Sequence, residues 1–286
     1  MFRQSIAIRR WACALGMVAL AAPLSAAPRI IPRAPSVWLD DYTTAELKSR
    51  IDKGCPVVIV FSGGTEETGP YLALGKHAAR IRAYGEAIAR NVGDALIAPV
   101  LHYAPNPPYI TPFPGTISLR PEVFAAVNED VARSLINGGF RRIALMSEHG
   151  PSQKPLAEVA ARLNAEFADK GAQVFYISDG YTRARREIEA AIRAEGKVGG
   201  GHGGLWDTSE TLAVDPSLVR PGPYLPGTID NDGNGPVNAL GYSGDPTGAN
   251  ARIGHEFGAM RVRLASAELS AALKSAGACR RQESRK

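Results

Sequence analysis

Short apolar segments alternate along the chain with longer segments whose apolar residues recur at helical spacing. The short segments are rich in β-branched residues and predict buried parallel strands at Val57–Phe61, Ala95–Leu101, Arg142–Ser147 and Gln173–Ser178. Such alternation is typical of a parallel sheet with helices on both faces. The pattern therefore predicts an α/β fold, a three-layer α/β/α sandwich around a mostly parallel central sheet.

Three of the helical segments can be given approximate boundaries, in part from residues that favour helix starts and stops. The segment Pro121–Asn137 has one apolar face, a proline suited to the first turn, and Gly138 as a stop. Ser152 is placed to cap the next helix. The last helix is expected from about residue 248 to 276. Two further stretches, Tyr103–Gly115 and Gly196–Gly248, are rich in Pro and Gly, and we expect them to be long functional loops.

The N-terminus has the pattern of an export signal. Three arginines precede an apolar run over residues 12–24, and small residues follow at 25–27. The run is too short for a comfortable membrane span. We expect a signal peptide over 1–27, a single domain over 28–277 and a polar tail over 278–286. The mature protein is then periplasmic or secreted, through the Sec rather than the twin-arginine route, without a stable membrane anchor.

The net charge of the chain gives no reason to expect nucleic-acid binding. The formal charge of +5 falls to +2 on cleavage, because the signal carries three arginines and no acid, and a sequence pI of 9.2 is then uninformative. Two cysteines remain, Cys55 and Cys279, and the sequence leaves open whether they pair.

The chain lacks the complete sequence signatures of two classes of protein, P-loop nucleotide-binding proteins and serine hydrolases. The spacing Gly64–Gly69 fits a phosphate-binding loop, but Pro70 and Tyr71 follow where Lys and Ser or Thr are required. The chain contains no G-x-S-x-G elbow, so a serine hydrolase of that type lacks its nucleophile.

Metal ligation fits the loops better. Carboxylates and imidazoles, the usual ligands of hydrolytic zinc or manganese, follow the predicted strands or lie in the glycine-rich stretch: Glu66, His77, His149, His202 and Asp207. The carboxyl ends of parallel strands meet at one edge, where ligands bind. A loop histidine can equally be a hydrogen-bonding or surface residue, and the adjacent glutamates at 66 and 67 a solvated turn.

Several strings in this order resemble the creatininase (creatinine amidohydrolase) family. The loop from Gly63 to His77 is similar to the family's G-x-x-E-x-H-G-P-H-L-P-L-G-x-D. Further similar strings are FPGTISL at 113–119, SEHGPS at 147–152, HGGLWDTS at 202–209 and GDPT at 244–247. The resemblance covers about residues 38–276. It implies a creatininase-like fold and metal-dependent hydrolysis of small cyclic or formylated amides.

The chain departs from that family pattern at the metal site. Where the family's usual site holds two metals, one histidine ligand falls at Thr68 and the bridging aspartate at His77. Glu66 and His149 remain in place, and Asp207 replaces a glutamate. A neutral imidazole cannot bridge two dications as a carboxylate does. We therefore expect one zinc or manganese ion per chain, with a metal-free polar pocket as the alternative.

The leading hypothesis is an exported amidohydrolase-like protein that acts through a metal-activated water. The predicted ligands are Glu66, His77, His149 and Asp207. His202, at the position of a catalytic histidine in the family, would protonate the departing nitrogen. Glu148 is a further acid, either a partner that orients a ligand or a compensating ligand. The resemblance also implies a symmetric homo-oligomer and a small-molecule substrate.

Two other functions stay open. A catalytically silent family member would bind a small molecule or a partner in the cell envelope, and the substitutions at Thr68 and His77 favour it. An enzyme whose substrate lacks an amide is the other. Metal content discriminates the first of these from the leading hypothesis, because a binding module need hold no ion.

Overall fold

Seven α-helices surround the sheet in the part of the chain that a computed structural model describes, residues 36–231 and 235–279. They are α1 Thr44–Lys53, α2 Lys76–Val92, α3 Pro121–Asn137, α4 Gln153–Phe167, α5 Thr182–Ala194, α6 Leu205–Val214 and α7 Ala251–Ser275. None of these helices combines the length and the apolar composition that crossing a bilayer requires. The predicted signal segment and residues 280–286 of the predicted tail lie outside the described residues.

The sheet has four strands, all parallel, in the order β2-β1-β3-β4. They are β1 Val57–Ser62, β2 Ala95–Ile97, β3 Arg142–Ser147 and β4 Gln173–Tyr176. All four begin where the sequence predicts. β2 is shorter than expected, because its regular ladder to β1 ends at the Ala98 amide, which donates to the Ile59 carbonyl, and the next bond to β1 comes only from the Leu101 amide to the Phe61 carbonyl.

Alternate residues of β1 serve two separate cores. Val58 and Val60 pack with α3 and α4 on one face of the sheet. Ile59 and Phe61 pack with α2 and α7 on the other. Strands buried on both faces explain the continuous apolar runs in the sequence. The predicted three-layer α/β/α architecture is thereby confirmed.

Helix α3 has the predicted bounds, with its proline at the first position and Gly138 after its last turn. Ser152 occupies the position before α4, but its hydroxyl does not cap the helix and instead lies 3.5 Å from His149 Nδ1. Helix α7 begins three residues later than expected, because the Asn250 side chain accepts a hydrogen bond from the Ile253 amide and caps the helix there.

Helix α6 lies inside the stretch 196–248, where the sequence predicts only irregular structure. Seven consecutive residues from Leu205 to Thr211 are buried, and the last five of them, from Asp207 to Thr211, are polar or charged. A helix that is buried all round and partly polar shows no apolar stripe, which is the signal that sequence analysis relies on.

The two cysteines are joined. A disulfide links Cys55, just before β1, to Cys279, with Cα atoms 6.3 Å apart. This separation lies in the usual range for the bond. The bridge ties the end of the described chain to the start of the central strand.

Candidate metal centre

The predicted ligands come from neighbouring strands and from the start of a helix. β1 and β3 run side by side to the same edge, where Ser62 pairs with Ser147 and accepts a hydrogen bond from the Glu148 amide at 3.0 Å. Glu66 follows β1 and His149 follows β3. The loop after β1 then leads into α2, which carries His77 at its second residue.

Glu66, His77 and His149 form one cluster, here called the ligand triad. Their candidate ligand atoms all lie within 4.8 Å of one another, and all three side chains are buried. Glu66 Oε2 lies 2.8 Å from His149 Nε2, and Glu66 Oε1 lies 2.7 Å from His77 Nε2. Two imidazoles and one carboxylate are a donor set found in hydrolytic zinc sites. The residues present therefore fit a divalent metal ion.

Glu148 lies behind His77 and fixes the orientation of its ring. A short hydrogen bond joins His77 Nδ1 to Glu148 Oε2, and Arg80 Nε lies 3.2 Å from Glu148 Oε1. Burial would raise the pKa of Glu148, but Arg80 and His77 outweigh it and lower that pKa to about 2. Glu148 is thus a permanent acceptor, and the His77 tautomer that donates to it leaves Nε2 for a ligand.

The electrostatics of the triad favour the protonation states that bind metal. Burial would raise the pKa of Glu66, but His149 and Lys76 hold it well below its usual range. Burial lowers the pKa of His149 despite the opposing effect of Glu66. An ionised carboxylate beside a neutral imidazole is the form in which both residues serve as ligands.

Asp207 lies beside the triad but is held by cations. It stands in the first turn of α6, where Oδ2 accepts a hydrogen bond from the Gly203 amide at 2.8 Å. Oδ2 is also 3.2 Å from Lys76 Nζ, and Oδ1 is 2.7 Å from Arg80. Burial would raise the pKa of Asp207, but Lys76 and Arg80 lower it. The clustered ligand atoms do not include Asp207, and its role as a ligand stays a prediction.

His202 approaches the triad from the glycine-rich stretch. A bridge to Ser243 holds its backbone, with the Ser243 amide 2.7 Å from the His202 carbonyl. Its Nδ1 lies 3.9 Å from Glu66 Oε1, and its Nε2 lies 3.8 Å from Glu67 Oε2. These separations exceed hydrogen-bonding distance. Among the described residues His202 Nε2 has no hydrogen-bond partner, so this nitrogen remains free to engage a bound molecule.

A second group of charges lies beside the triad, here called the support cluster: Arg80, Glu148, Glu210 and Arg261. Sequence analysis named Glu148 and missed the other three. Arg261 Nε lies 2.6 Å from Glu210 Oε1, and an Arg80 nitrogen lies 3.3 Å from Glu210 Oε2. The Trp206 ring contacts both guanidinium groups, at 5.9 Å and 4.8 Å from its centre. This ring is fully packed and buried.

A signal for two of these residues exists in the sequence. Arg80 follows His77 by three residues, and Glu210 follows Asp207 by three. Residues three apart lie on the same side of a helix. Recognition of α2 and α6 as helices would have placed both residues beside the predicted ligands.

Comparisons with known proteins show what the chain is similar to. The family model described as creatininase, creatinine amidohydrolase, matches residues 40–269. A creatinine amidohydrolase of Pseudomonas putida is 27% identical over 194 residues, 64% of this chain and 74% of the relative. A mycofactocin precursor peptide peptidase of Mycolicibacterium smegmatis is 26% identical over 239 residues, 78% of this chain and 87% of the relative.

Solved structures show the same fold. A mutant creatininase described as Zn–Zn type superposes with a TM-score of 0.71 at 22% identity, over 85% of this chain and 98% of the other. The family match covers most of the described residues, including all three members of the ligand triad. The chain belongs to the creatininase family.

Proposed function

We propose that the protein is an exported hydrolase that uses one zinc or manganese ion to cleave a small cyclic or formylated amide. The observation that carries this proposal is the ligand triad, a buried set of one carboxylate and two imidazoles at the edge of the sheet where ligands bind in α/β folds. The relatives named above act, by their names, on creatinine and on a precursor peptide, both of which contain C–N bonds.

The residues around the triad have distinct roles in this proposal. Glu66, His77 and His149 would hold the ion, which supplies Lewis acidity that lowers the pKa of water and polarises a carbonyl. Glu148 keeps the His77 ring oriented. His202 is positioned to pass a proton to the departing nitrogen, because its Nδ1 lies 3.9 Å from Glu66 Oε1 of the triad and its Nε2 has no hydrogen-bond partner among the described residues.

His202 provides the test of the catalytic part. A panel of cyclic amides and N-formyl amines is assayed with the zinc-loaded and manganese-loaded parent. His202→Asn should lower kcat by about 10²–10⁴-fold for the substrate found, with zinc content unchanged. His255→Asn, an exposed histidine on α7, is the matched control and should behave as the parent. A parent that binds neither metal and cleaves nothing would leave the silent binding module as the function.

The disulfide supports export. Stable disulfides form mainly in oxidising compartments such as the periplasm, and this chain joins Cys55 to Cys279. N-terminal sequencing of the natively expressed protein should start close to Ala27 or Pro28. Intact Met1 on protein with free thiols in the cytoplasm would contradict this part of the proposal.

A further inference from the structure

Lys76 is an unusual residue for its position. It is the first residue of α2, and its side chain is only 1% exposed. A helix N-terminus carries partial positive charge, so it disfavours a cation nearby. Burial of an ammonium group is also costly unless anions surround it. The reason for Lys76 must therefore lie in the groups that it contacts.

Those contacts are the atoms that would otherwise bind metal. Lys76 Nζ lies 3.3 Å from Glu66 Oε1, 3.2 Å from Asp207 Oδ2 and 2.9 Å from His77 Nε2. An ammonium group has three N–H donors, one for each of these acceptors. In the metal-free protein His77 can accept here, because the tautomer that donates Nδ1–H to Glu148 leaves one lone pair on Nε2. When that lone pair binds the ion of the triad, Lys76 keeps its contacts with Glu66 and Asp207. Carboxylate oxygen and imidazole nitrogen are equally the donors that a divalent ion selects.

Glu66 is shared between two cation positions. Its Oε1 faces Lys76, and its Oε2 faces His149 Nε2 at 2.8 Å. Thr68 stands where the family resemblance places a histidine ligand, and its hydroxyl is directed at the Glu66 carbonyl at 3.5 Å. The side of Glu66 that faces His149 is thus free to share an ion, while the other side already holds a positive charge.

The charge balance of the buried network also favours one divalent ion over two. Four linked carboxylates, Glu66, Glu148, Asp207 and Glu210, face three cations, Lys76, Arg80 and Arg261. With neutral imidazoles this leaves a formal charge of −1. One divalent ion brings it to +1, whereas two would bring it to +3 among side chains that are all buried. Uncompensated buried charge of that size is strongly unfavourable.

We infer that the Lys76 ammonium occupies the place of a second divalent ion, so that the site combines one exchangeable metal with one fixed cation of the protein. A similar solved creatininase is described as Zn–Zn type. This inference rests on the proposed function for the first ion. Its own content is that Lys76 excludes an ion from the position between Glu66 and Asp207.

The test replaces the lysine and counts zinc. Lys76→Met keeps the length of the side chain and removes the charge. Apo protein is titrated with zinc by calorimetry, and the stoichiometry is checked by native mass spectrometry. We expect one zinc per chain for the parent and two for Lys76→Met. Zinc should also raise the Tm of Lys76→Met more than that of the parent, because the variant lacks a counter-charge until the ion binds.

Two controls isolate the charge at this position. Lys76→Arg retains a cation and should bind one zinc, as the parent does. Lys154→Met removes an exposed lysine whose side chain is 88% accessible, and it should bind one zinc. If apo Lys76→Met does not fold, Lys76→Gln refolded with and without zinc provides the same count.

The outcomes separate this inference from the proposed function. Two zinc ions on the parent would overturn the inference and leave metal-dependent hydrolysis possible. Equal zinc binding by the parent and by Lys76→Met would overturn it as well. A parent that binds no zinc beside a Lys76→Met variant that binds one would support the exclusion of metal by Lys76 and would remove the basis of the proposed hydrolase.

Discussion

The ligand triad and the support cluster are two groups of buried charge that lie side by side and differ in how their charges are met. In the support cluster each carboxylate faces an arginine, as Glu210 does with Arg80 and Arg261. In the triad the lone pairs of Glu66 and two imidazoles converge on one another. Lys76 meets this set of atoms on one side, and the remaining atoms need a proton or a metal ion between them, whereas the paired charges of the support cluster are already satisfied by the fold.

The ligand triad and the support cluster therefore have different roles in the site. Paired arginines and carboxylates hold α2, α6 and α7 in register, and Glu148 extends the same pairing to the ring of His77. The triad can then present its donors in fixed positions. Preorganisation of ligands by partners behind them is a general requirement of metal sites. We expect mutations in the support cluster to affect stability and mutations in the triad to affect metal binding.

The largest effect should follow from breaking the support cluster. Arg261→Met keeps an apolar side chain and removes the cation that pairs with Glu210. Burial would lower the pKa of Arg261, but Glu210 and Glu148 raise it, so the fold favours this cation. Breaking a buried pair by removing one partner typically costs about 3–5 kcal/mol, because the remaining charge stays buried. Urea unfolding of apo protein at pH 7 should show a loss of that size.

The matched control is Arg90→Met, which removes one partner of an exposed pair with Glu86 on α2. An exposed pair contributes about 0–1 kcal/mol. Burial raises the pKa of Glu210, and the arginines oppose that effect. If Arg261→Met costs no more than Arg90→Met at pH 7, Glu210 is already protonated and the support cluster is not held by that ion pair.

Breaking the triad should have a smaller effect on the fold and a specific effect on metal. His149→Ala removes one ligand without touching the apolar part of β3 behind it. Loss of a partner behind a ligand commonly weakens metal binding about 10–100-fold, and loss of a ligand should cost at least as much. Zinc affinity is measured by competition with a chelator, and unfolding of the apo protein is measured in parallel.

His255→Ala is the control for a histidine outside the site, and its zinc affinity should equal that of the parent. Unchanged zinc affinity of His149→Ala would remove this residue from the ligands. A loss of stability as large as that of Arg261→Met would contradict the division between the two clusters.

The same comparison explains what the sequence could reveal. The strands could be predicted because buried β-branched runs are distinctive. Glu66, His77 and His149 could be predicted because they lie in strings that resemble the creatininase family, and His149 also because it directly follows a predicted strand. An arginine on a helix is usually solvent-exposed, so nothing in the composition of α7 indicates that Arg261 is almost fully buried. Only the three-dimensional pairing of α6 with α7 shows it.

The role of Lys76 was even harder to predict from the sequence than that of Arg261. It lies between Gly75 and His77 in a string that resembles the family pattern, at a position where that pattern specifies no residue. Its contact with Asp207 joins segments 131 residues apart in the chain. A side chain that gains its role from such a long-range contact carries no local signal in the sequence.

A third kind of buried carboxylate sharpens the comparison and should give the smallest effect. Glu268 on α7 is partly buried, and its Oε2 accepts hydrogen bonds from the Ser178 and Asp179 amides at 2.9 and 2.7 Å. Burial raises the pKa of Glu268, the two amides lower it, and the Asp179 carboxylate adds to the rise. Because the pKa of Glu268 is raised in the folded protein, folding favours the protonated carboxyl. The contribution of this carboxyl to the free energy of unfolding is greatest below about pH 4 and is lost as pH rises through the folded pKa.

Glu268→Gln retains an oxygen that can accept from both amides and removes the charge that burial disfavours. The unfolding free energy of the variant should equal that of the parent near pH 4 and exceed it by about 0.5 kcal/mol at pH 8, a small gain because solvent screens a half-exposed group. Urea unfolding of both proteins across this pH range measures the difference. A gain that shrinks as pH rises has the wrong sign for a raised pKa, and it would show that the two amides stabilise the Glu268 anion more than burial destabilises it.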